Sequence, residues 1–295
     1  MKVSRLNIEK AKERGARAAF ALSAILALGL LVAIVVFLFA YGAPFLFKYG
    51  VGNFLFGMDW SPLGNPPSFG VWPMIVTTFY VTILSSLLGC ALGLFVAISL
   101  FAFVPKKIVR PVRALIDLLA GIPSVIYGLF GMVVIVPFIQ NYLSPNGIGD
   151  GILAASIILS VMILPTMVGV SLDALNATDY GYYEGALSLG SSKAQAVFRV
   201  IVPASRRGIL AAVVLSTGRA LGETMAVIMV IGGSPQMPTS LMQPVRTLTA
   251  NIAMGAMELN VIPDAMDALF CSGVILFLLS LLLNVVFSLL EKEER

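Results

Sequence analysis

Residues 209–232, ILAAVVLSTGRALGETMAVIMVIG, are apolar over the length of a membrane-crossing helix yet carry Arg219 and Glu223 near their middle. A hydrocarbon core takes about 20 helical residues, and a charge facing lipid at that depth is costly. The two charges therefore belong on a face turned to protein or to water. Four residues apart, they share a helix face and are placed to pair. Arginine's planar fork suits the oxygens of an oxyanion as well as a carboxylate. Two readings follow: a permanent buried ion pair that locks helix packing, or a guanidinium that Glu223 holds until a passing anion competes for it.

Five further apolar blocks flank this one, at about Phe20–Tyr41, Pro73–Val104, Val112–Gln140, Gly151–Leu172 and Ala268–Leu290, with Asp117 in the first turns of the third. Of the 295 residues 59% are hydrophobic and 12% charged, roughly half the charged share of a soluble domain. That excludes a disordered chain and a water-soluble globule. The first block is too long for a signal-peptide core, and no small-x-small cleavage site precedes Tyr41-Gly42-Ala43-Pro44, so it reads as a retained helix. The expectation is an all-α polytopic membrane protein of six transmembrane helices. Pro123 and Pro165 should each kink the helix that holds them.

Charge between the blocks alternates. Sixteen of the nineteen Lys and Arg residues fall on one side: before the first block, at Lys106, Lys107, Arg110 and Arg113, at Lys193, Arg199, Arg206 and Arg207, and at the C-terminus. Lys48 and Arg246 lie on the other side and Arg219 within a block. Cationic loops stay in the cytoplasm, so both termini should face inward from a bacterial or archaeal inner membrane. The net charge of +4 is too small and scattered for a nucleic-acid partner. Cys90 and Cys271 sit inside apolar blocks as small buried hydrophobes, and the absence of histidine removes its metal sites and general bases. Gly89-x-x-x-Gly93 and Gly218-x-x-x-Gly222 read as faces for close helix approach. Trp60 and Trp72, within a Gly- and Pro-rich stretch at 43–72, suit the membrane–water interface.

The inner loop 173–208 is far longer than a simple helix connection needs. Tyr180–Leu189 can form a short helix that Gly190 ends. Ser191 or Ser192 can cap a second, running to about Ile201 and stopped by Pro203. Such a hairpin is either a protruding cytoplasmic knob or an amphipathic pair lying on lipid.

Glu184-Gly185-Ala186, then Gly190, then Val200-x-Val202-Pro203 resembles the EAA loop of ABC importer permeases, with Gly185 in place of the first alanine. Gly218-Arg219-Ala220-Leu221-Gly222-Glu223-Thr224-Met225-Ala226-Val227 and Ala120-Gly121-Ile122-Pro123-Ser124-Val125-Ile126-Tyr127-Gly128 resemble stretches of phosphate importer permeases, nearer the PstC type than the paired PstA type. The resemblance covers roughly 71–290 and implies a type I ABC importer permease fold with cytoplasmic coupling helices. It implies that Glu184, Gly185, Ala186, Gly190, Val200, Val202 and Pro203 seat in a cytoplasmic ATPase, and that Arg219, Glu223 and Thr224 line the substrate pathway.

The organisation expected is a cytoplasmic N-terminal segment 1–19, a first helix and outer loop 20–70, a transmembrane core 71–290 and a tail 291–295. The implied partners are the phosphate ion, a second permease subunit (PstA-like), an ATPase dimer (PstB-like), an external phosphate-binding protein (PstS-like) and membrane lipid. No Gly-x-x-x-x-Gly-Lys-Ser/Thr loop occurs, so the chain itself should be no enzyme and bind no cofactor, ATP and Mg being used by the ATPase. Rivals are a permease for sulfate or molybdate, an ATP-independent channel or secondary carrier, and a membrane protease using Asp150 in Gly147-Ile148-Gly149-Asp150. A Ser-Pro-Asn-Gly turn at the outer surface accounts for that last motif better.

Overall fold

A computed structural model of the chain describes residues 2–259 and 262–292. Met1, residues 260–261 and residues 293–295, most of the expected tail, lie outside the described residues. Helix α1 spans Lys2–Tyr49 and α2 Val51–Phe56. A two-residue hairpin pairs β1 (Trp60–Ser61) with β2 (Ser68–Phe69) antiparallel, Trp60 opposite Phe69. Then come α3 (Trp72–Ala102), α4 (Lys106–Ala120), α5 (Ser124–Phe130) and α6 (Val136–Tyr142), the last two joined by a π-helical turn at Gly131–Ile135. Helix α7 (Ile152–Ala177) leads into α8 (Tyr180–Ser188). Helices α9 (Lys193–Ala196) and α10 (Val202–Ala204) flank a second π-helical turn, Val197–Ile201. The chain closes with α11 (Arg206–Gly222), α12 (Met225–Ile228), α13 (Leu248–Glu258) and α14 (Pro263–Lys292).

Among the described residues five helices are long and apolar enough to cross a membrane: Gly15–Tyr49, Trp72–Ala102, Ser124–Tyr142, Ile152–Ala177 and Asp264–Phe287. The sixth expected span is α11, cut to 17 residues by a break after Gly222. The third block also divides. Gly121-Ile122-Pro123 interrupts it, because proline disfavours helical backbone in the residue before it. Asp117 consequently lies on α4, outside the crossing helix. Pro165, by contrast, sits within the unbroken α7. The first helix starts well before residue 20 and runs on past Pro44.

Helix α7 is the axis of the bundle. Leu159, Met162, Ile163 and Met167 are fully enclosed, flanked by α3 on one side and α11 on another. In lipid, apolar burial between helices brings little hydrophobic gain, so close fit decides. A Cβ at Gly89 would come within 2.6 Å of Ile163 and one at Gly93 within 2.6 Å of Met167. This glycine pair therefore sets the α3–α7 distance. The outer aromatics pack on one another rather than spreading along the interface. Phe45, Phe54, Trp60 and Phe69 form a buried cluster against Ala268, Leu269 and Cys271 of α14. Residues 144–147 form the expected turn, with Ser144 Oγ accepting from the Ile148 amide and Gly147 in the left-handed region (φ 68°).

Candidate functional site

The break between α11 and α12 is the centre of the site. Glu223 leaves the helix in an extended conformation (φ −71°, ψ 134°). Its Oε1 turns forward to accept the Ala226 amide at 3.3 Å, holding the start of α12. Its carbonyl accepts from Thr249 Oγ1 at 3.0 Å. Thr249 belongs to α13, which Thr247 caps by accepting the Ala250 amide, and Thr78 Oγ1 of α3 accepts the Leu248 amide at 3.0 Å. The interrupted span is thus tied to α13, and α13 to α3, through side-chain hydroxyls, which supply partners for backbone groups.

Arg219 stands one turn before the break, about 20 Å along α11 from Arg206. Half-buried, it donates from Nη1 to Thr166 Oγ1 of α7 at 3.3 Å. Tyr127 of α5 lies within electrostatic reach of it and donates its hydroxyl to the Leu119 carbonyl at 2.8 Å. The Arg219–Glu223 pair expected from helical spacing is not formed. The helix ends between the two residues, so they no longer share a face, and Glu223 is engaged in capping. Thr224 sits half-buried in the same unwound stretch.

One side of the break is packed and the other open. A Cβ at Gly128 would meet Met229 Sδ at 2.8 Å and Ala226 Cα at 3.0 Å, so α5 presses directly on α12. At Gly218 and Gly222 a Cβ would meet nothing within 4 Å. This second glycine pair is no internal packing face. It borders an uncovered wall that carries Arg219 and Thr224. The hydroxyl of Ser216, one turn earlier, has no hydrogen-bond partner among the described residues. Nearby, α3, α11 and α14 line a cavity of about 470 Å³ without a charged residue.

Sequence reasoning missed Thr166, Thr249 and Arg246. Arg246 donates from Nε to the Gly233 carbonyl at 2.6 Å and from Nη1 to Asn251 Oδ1 at 3.2 Å, closing the glycine turn beyond α12 onto α13. Burial lowers its pKa and Glu258 opposes that shift, but a guanidinium stays charged. Thr247, three residues ahead of Ala250, is the capping signal that could have revealed α13.

The inner loop folds into a helical elbow. Asp179 Oδ1 accepts the Gly181 amide and starts α8, and Gly190 turns the chain at φ 88°. Ser192, rather than Ser191, caps α9 in a reciprocal box with Gln195. The second arm continues through Pro203 to Ala204, three residues beyond the expected end at Ile201. Ala186, Val197 and Ile201 are buried, Val197 and Ile201 packing beneath the bundle, while Leu189 is 90% exposed at the tip and Tyr180 and Tyr182 also face outward. Glu184 and Gly185 are exposed, and a Cβ at Gly185 would meet nothing within 4 Å. The glycine that replaces an alanine there leaves the fold unstrained.

Residues 89–294, which hold the elbow and the broken span, match the family described as binding-protein-dependent transport system inner membrane component. The chain belongs to that family. Among curated relatives, the probable ABC transporter permease protein YqgH of Bacillus subtilis (strain 168) is 38% identical over 269 residues, covering 90% of this chain and 86% of the relative. A phosphate transport system permease protein PstC from Mesorhizobium japonicum is 34% identical over 287 residues, covering 90% and 85%. Among solved structures, an inward-facing MetNI methionine ABC transporter aligns with TM-score 0.58 at 21% identity over 74% of this chain and 93% of that one. A bacterial alginate ABC transporter bound to its periplasmic protein aligns with TM-score 0.60 at 18% identity, covering 91% and 92%. At those identities the structures speak for the fold alone, that of type I ABC importer permeases. This family member is a multi-pass transport subunit of the inner membrane, not an enzyme, and membership implies an ATPase and a substrate-binding protein as partners.

Proposed function

We propose that this chain is one of two permease subunits of an ATP-driven importer of inorganic phosphate. The observation that carries the reading is Arg219: a half-buried guanidinium with no carboxylate in ion-pair range among the described residues, on an uncovered wall where a membrane span is interrupted. Such a charge cannot face lipid. A second, PstA-like permease would close the wall into a watery route, and the arginine fork would meet the oxyanion there. Thr224 and the backbone around Glu223 would line the same passage. The phosphate transport names of several relatives support the choice of anion.

The elbow at 180–204 would seat in a PstB-like ATPase dimer that binds ATP and Mg, with Glu184 and the Gly190 turn at the contact. The excess of basic loops on the elbow's side supports a cytoplasmic position for that side and for both termini. The opposite side carries Lys48 and Arg246 against Asp59, Asp150, Glu258, Asp264 and Asp267. A surface of that sign does not gather anions, so a PstS-like binding protein would deliver them.

The test is uptake of labelled phosphate by cells lacking other phosphate carriers, with sulfate and molybdate as competitors. Phosphate uptake that requires the co-purifying ATPase supports the reading. Preferential inhibition by sulfate or molybdate would reassign the anion, and uptake by the isolated chain without ATP would replace the importer with a channel or carrier.

A further inference from the structure

Helix α4 is divided into three sectors by its own sequence. Val109, Val112 and Ile116 are half-buried against the inner end of the bundle, together with Tyr183 of the elbow. Lys106, Arg110, Arg113 and Asp117 follow at intervals of four, three and four, which gathers them along one side. Ile108, Leu115 and Leu119 recur on the opposite side, and all three are exposed, Leu115 by 61%. Leu118, 68% exposed, and Lys107 face away from the bundle, between the polar and apolar sectors.

A water-facing helix does not hold leucines out on one side, and a membrane-crossing one does not carry cations on the other. The division fits a helix lying in the plane of the membrane surface. Its ends join the inner ends of α3 and α5, and Arg113 Nη2 donates to Asp173 Oδ1 of α7 at 2.8 Å. That exposed bond adds to the packing of Val109, Val112 and Ile116 against the bundle. Among the described residues Lys106, Lys107 and Arg110 have no ion-pair partner. Their chains are long enough to lay methylenes along apolar surface while the charged ends stay at the headgroups.

We infer that α4 is an interfacial docking surface for anionic phospholipid, its exposed leucines set among the acyl chains and Lys106, Lys107 and Arg110 binding headgroup phosphates. The inference rests on the proposed orientation, with the elbow on the cytoplasmic side. Each cation near a negatively charged leaflet favours association by about fivefold. The three together select phosphatidylglycerol over phosphatidylcholine locally.

The experiment uses the full chain in nanodiscs of equal parts phosphatidylglycerol and phosphatidylcholine, each lipid in turn carrying a photoactivatable group. Crosslinks are then mapped by mass spectrometry. The peptide covering 106–120 takes several-fold more phosphatidylglycerol than phosphatidylcholine label. Lys106→Gln with Lys107→Gln and Arg110→Gln brings the two to parity, whereas Lys106→Arg with Lys107→Arg and Arg110→Lys keeps the preference. Labelling of the α3 and α14 peptides reports that the variants are folded and embedded. Equal labelling in the wild type, no lipid label on 106–120, or loss of label on adding inorganic phosphate would each overturn the inference. Failure here with phosphate uptake intact removes only this surface, and the converse removes only the proposed substrate.

Discussion

Replacing Arg219 by lysine separates recognition from charge. Among the described residues the guanidinium makes one hydrogen bond, Nη1 to Thr166 Oγ1 at 3.3 Å, at the long end of the useful range. Losing it costs the fold about 0.5–1.5 kcal/mol at most. No carboxylate is left unpaired, because Glu223 is occupied with the Ala226 amide. An oxyanion in the arginine fork, by contrast, receives two charge-assisted hydrogen bonds, each of about 1.5–3 kcal/mol. Lysine keeps the charge and one of the bonds. The expected loss is therefore about 1.5–3 kcal/mol, or roughly ten- to 150-fold in uptake at low phosphate. The assay is the initial rate of labelled phosphate uptake into proteoliposomes holding the co-purified assembly, alongside its thermal unfolding midpoint. Uptake within about twofold of wild type, with assembly intact, would refute fork recognition. Collapse of the assembly would refute the argument that this side chain contributes little to the fold.

The absence of an Arg219–Glu223 pair predicts that Arg219→Lys and Glu223→Gln combine additively, within about 0.5 kcal/mol in uptake, and a coupling above about 1 kcal/mol in the double-mutant cycle would restore the pair. Gly89→Ala forces a methyl against Ile163 and the Ser160 carbonyl, costing about 1–3 kcal/mol and lowering the unfolding midpoint in detergent. Gly222→Ala meets nothing within 4 Å, so the midpoint holds while uptake falls, and an early-unfolding variant that transports normally would contradict the open wall. Ser192→Ala removes the oxygen that accepts the Gln195 amide. It destabilises the second arm of the elbow by about 1 kcal/mol, read as faster amide exchange across 193–204.

The spans were legible because a bilayer demands length and low charge, and both are properties of composition. Where the backbone breaks was not. Hydropathy runs smoothly through Gly222-Glu223-Thr224, and the groups that stabilise the interruption come from elsewhere, Thr249 above all. The third block carried a clearer sign that apolar length concealed. Lys106, Arg110, Arg113 and Asp117 already spell the polar side of an amphipathic helix, and Pro123 marks its limit. Two Gly-x-x-x-Gly motifs of the same form met opposite fates, one jammed against α7 and one open, since a motif shows what a helix permits and not what its neighbour supplies. The elbow was the most legible feature. Asp179, Gly190 and Ser192 are local punctuation that acts on adjacent backbone.

The uninterrupted run of α11 from Arg206 to Gly222, about 26 Å of rigid rod, begins just past the elbow and stops at the extended Glu223. A push delivered at the base therefore travels like a piston stroke and is spent at the joint. The parts beyond it, clamped through Thr249 and Arg246, stay in place. On the proposed reading, work delivered at the elbow would tilt Arg219 without dragging the far mouth along, so the two ends of the route need not open together.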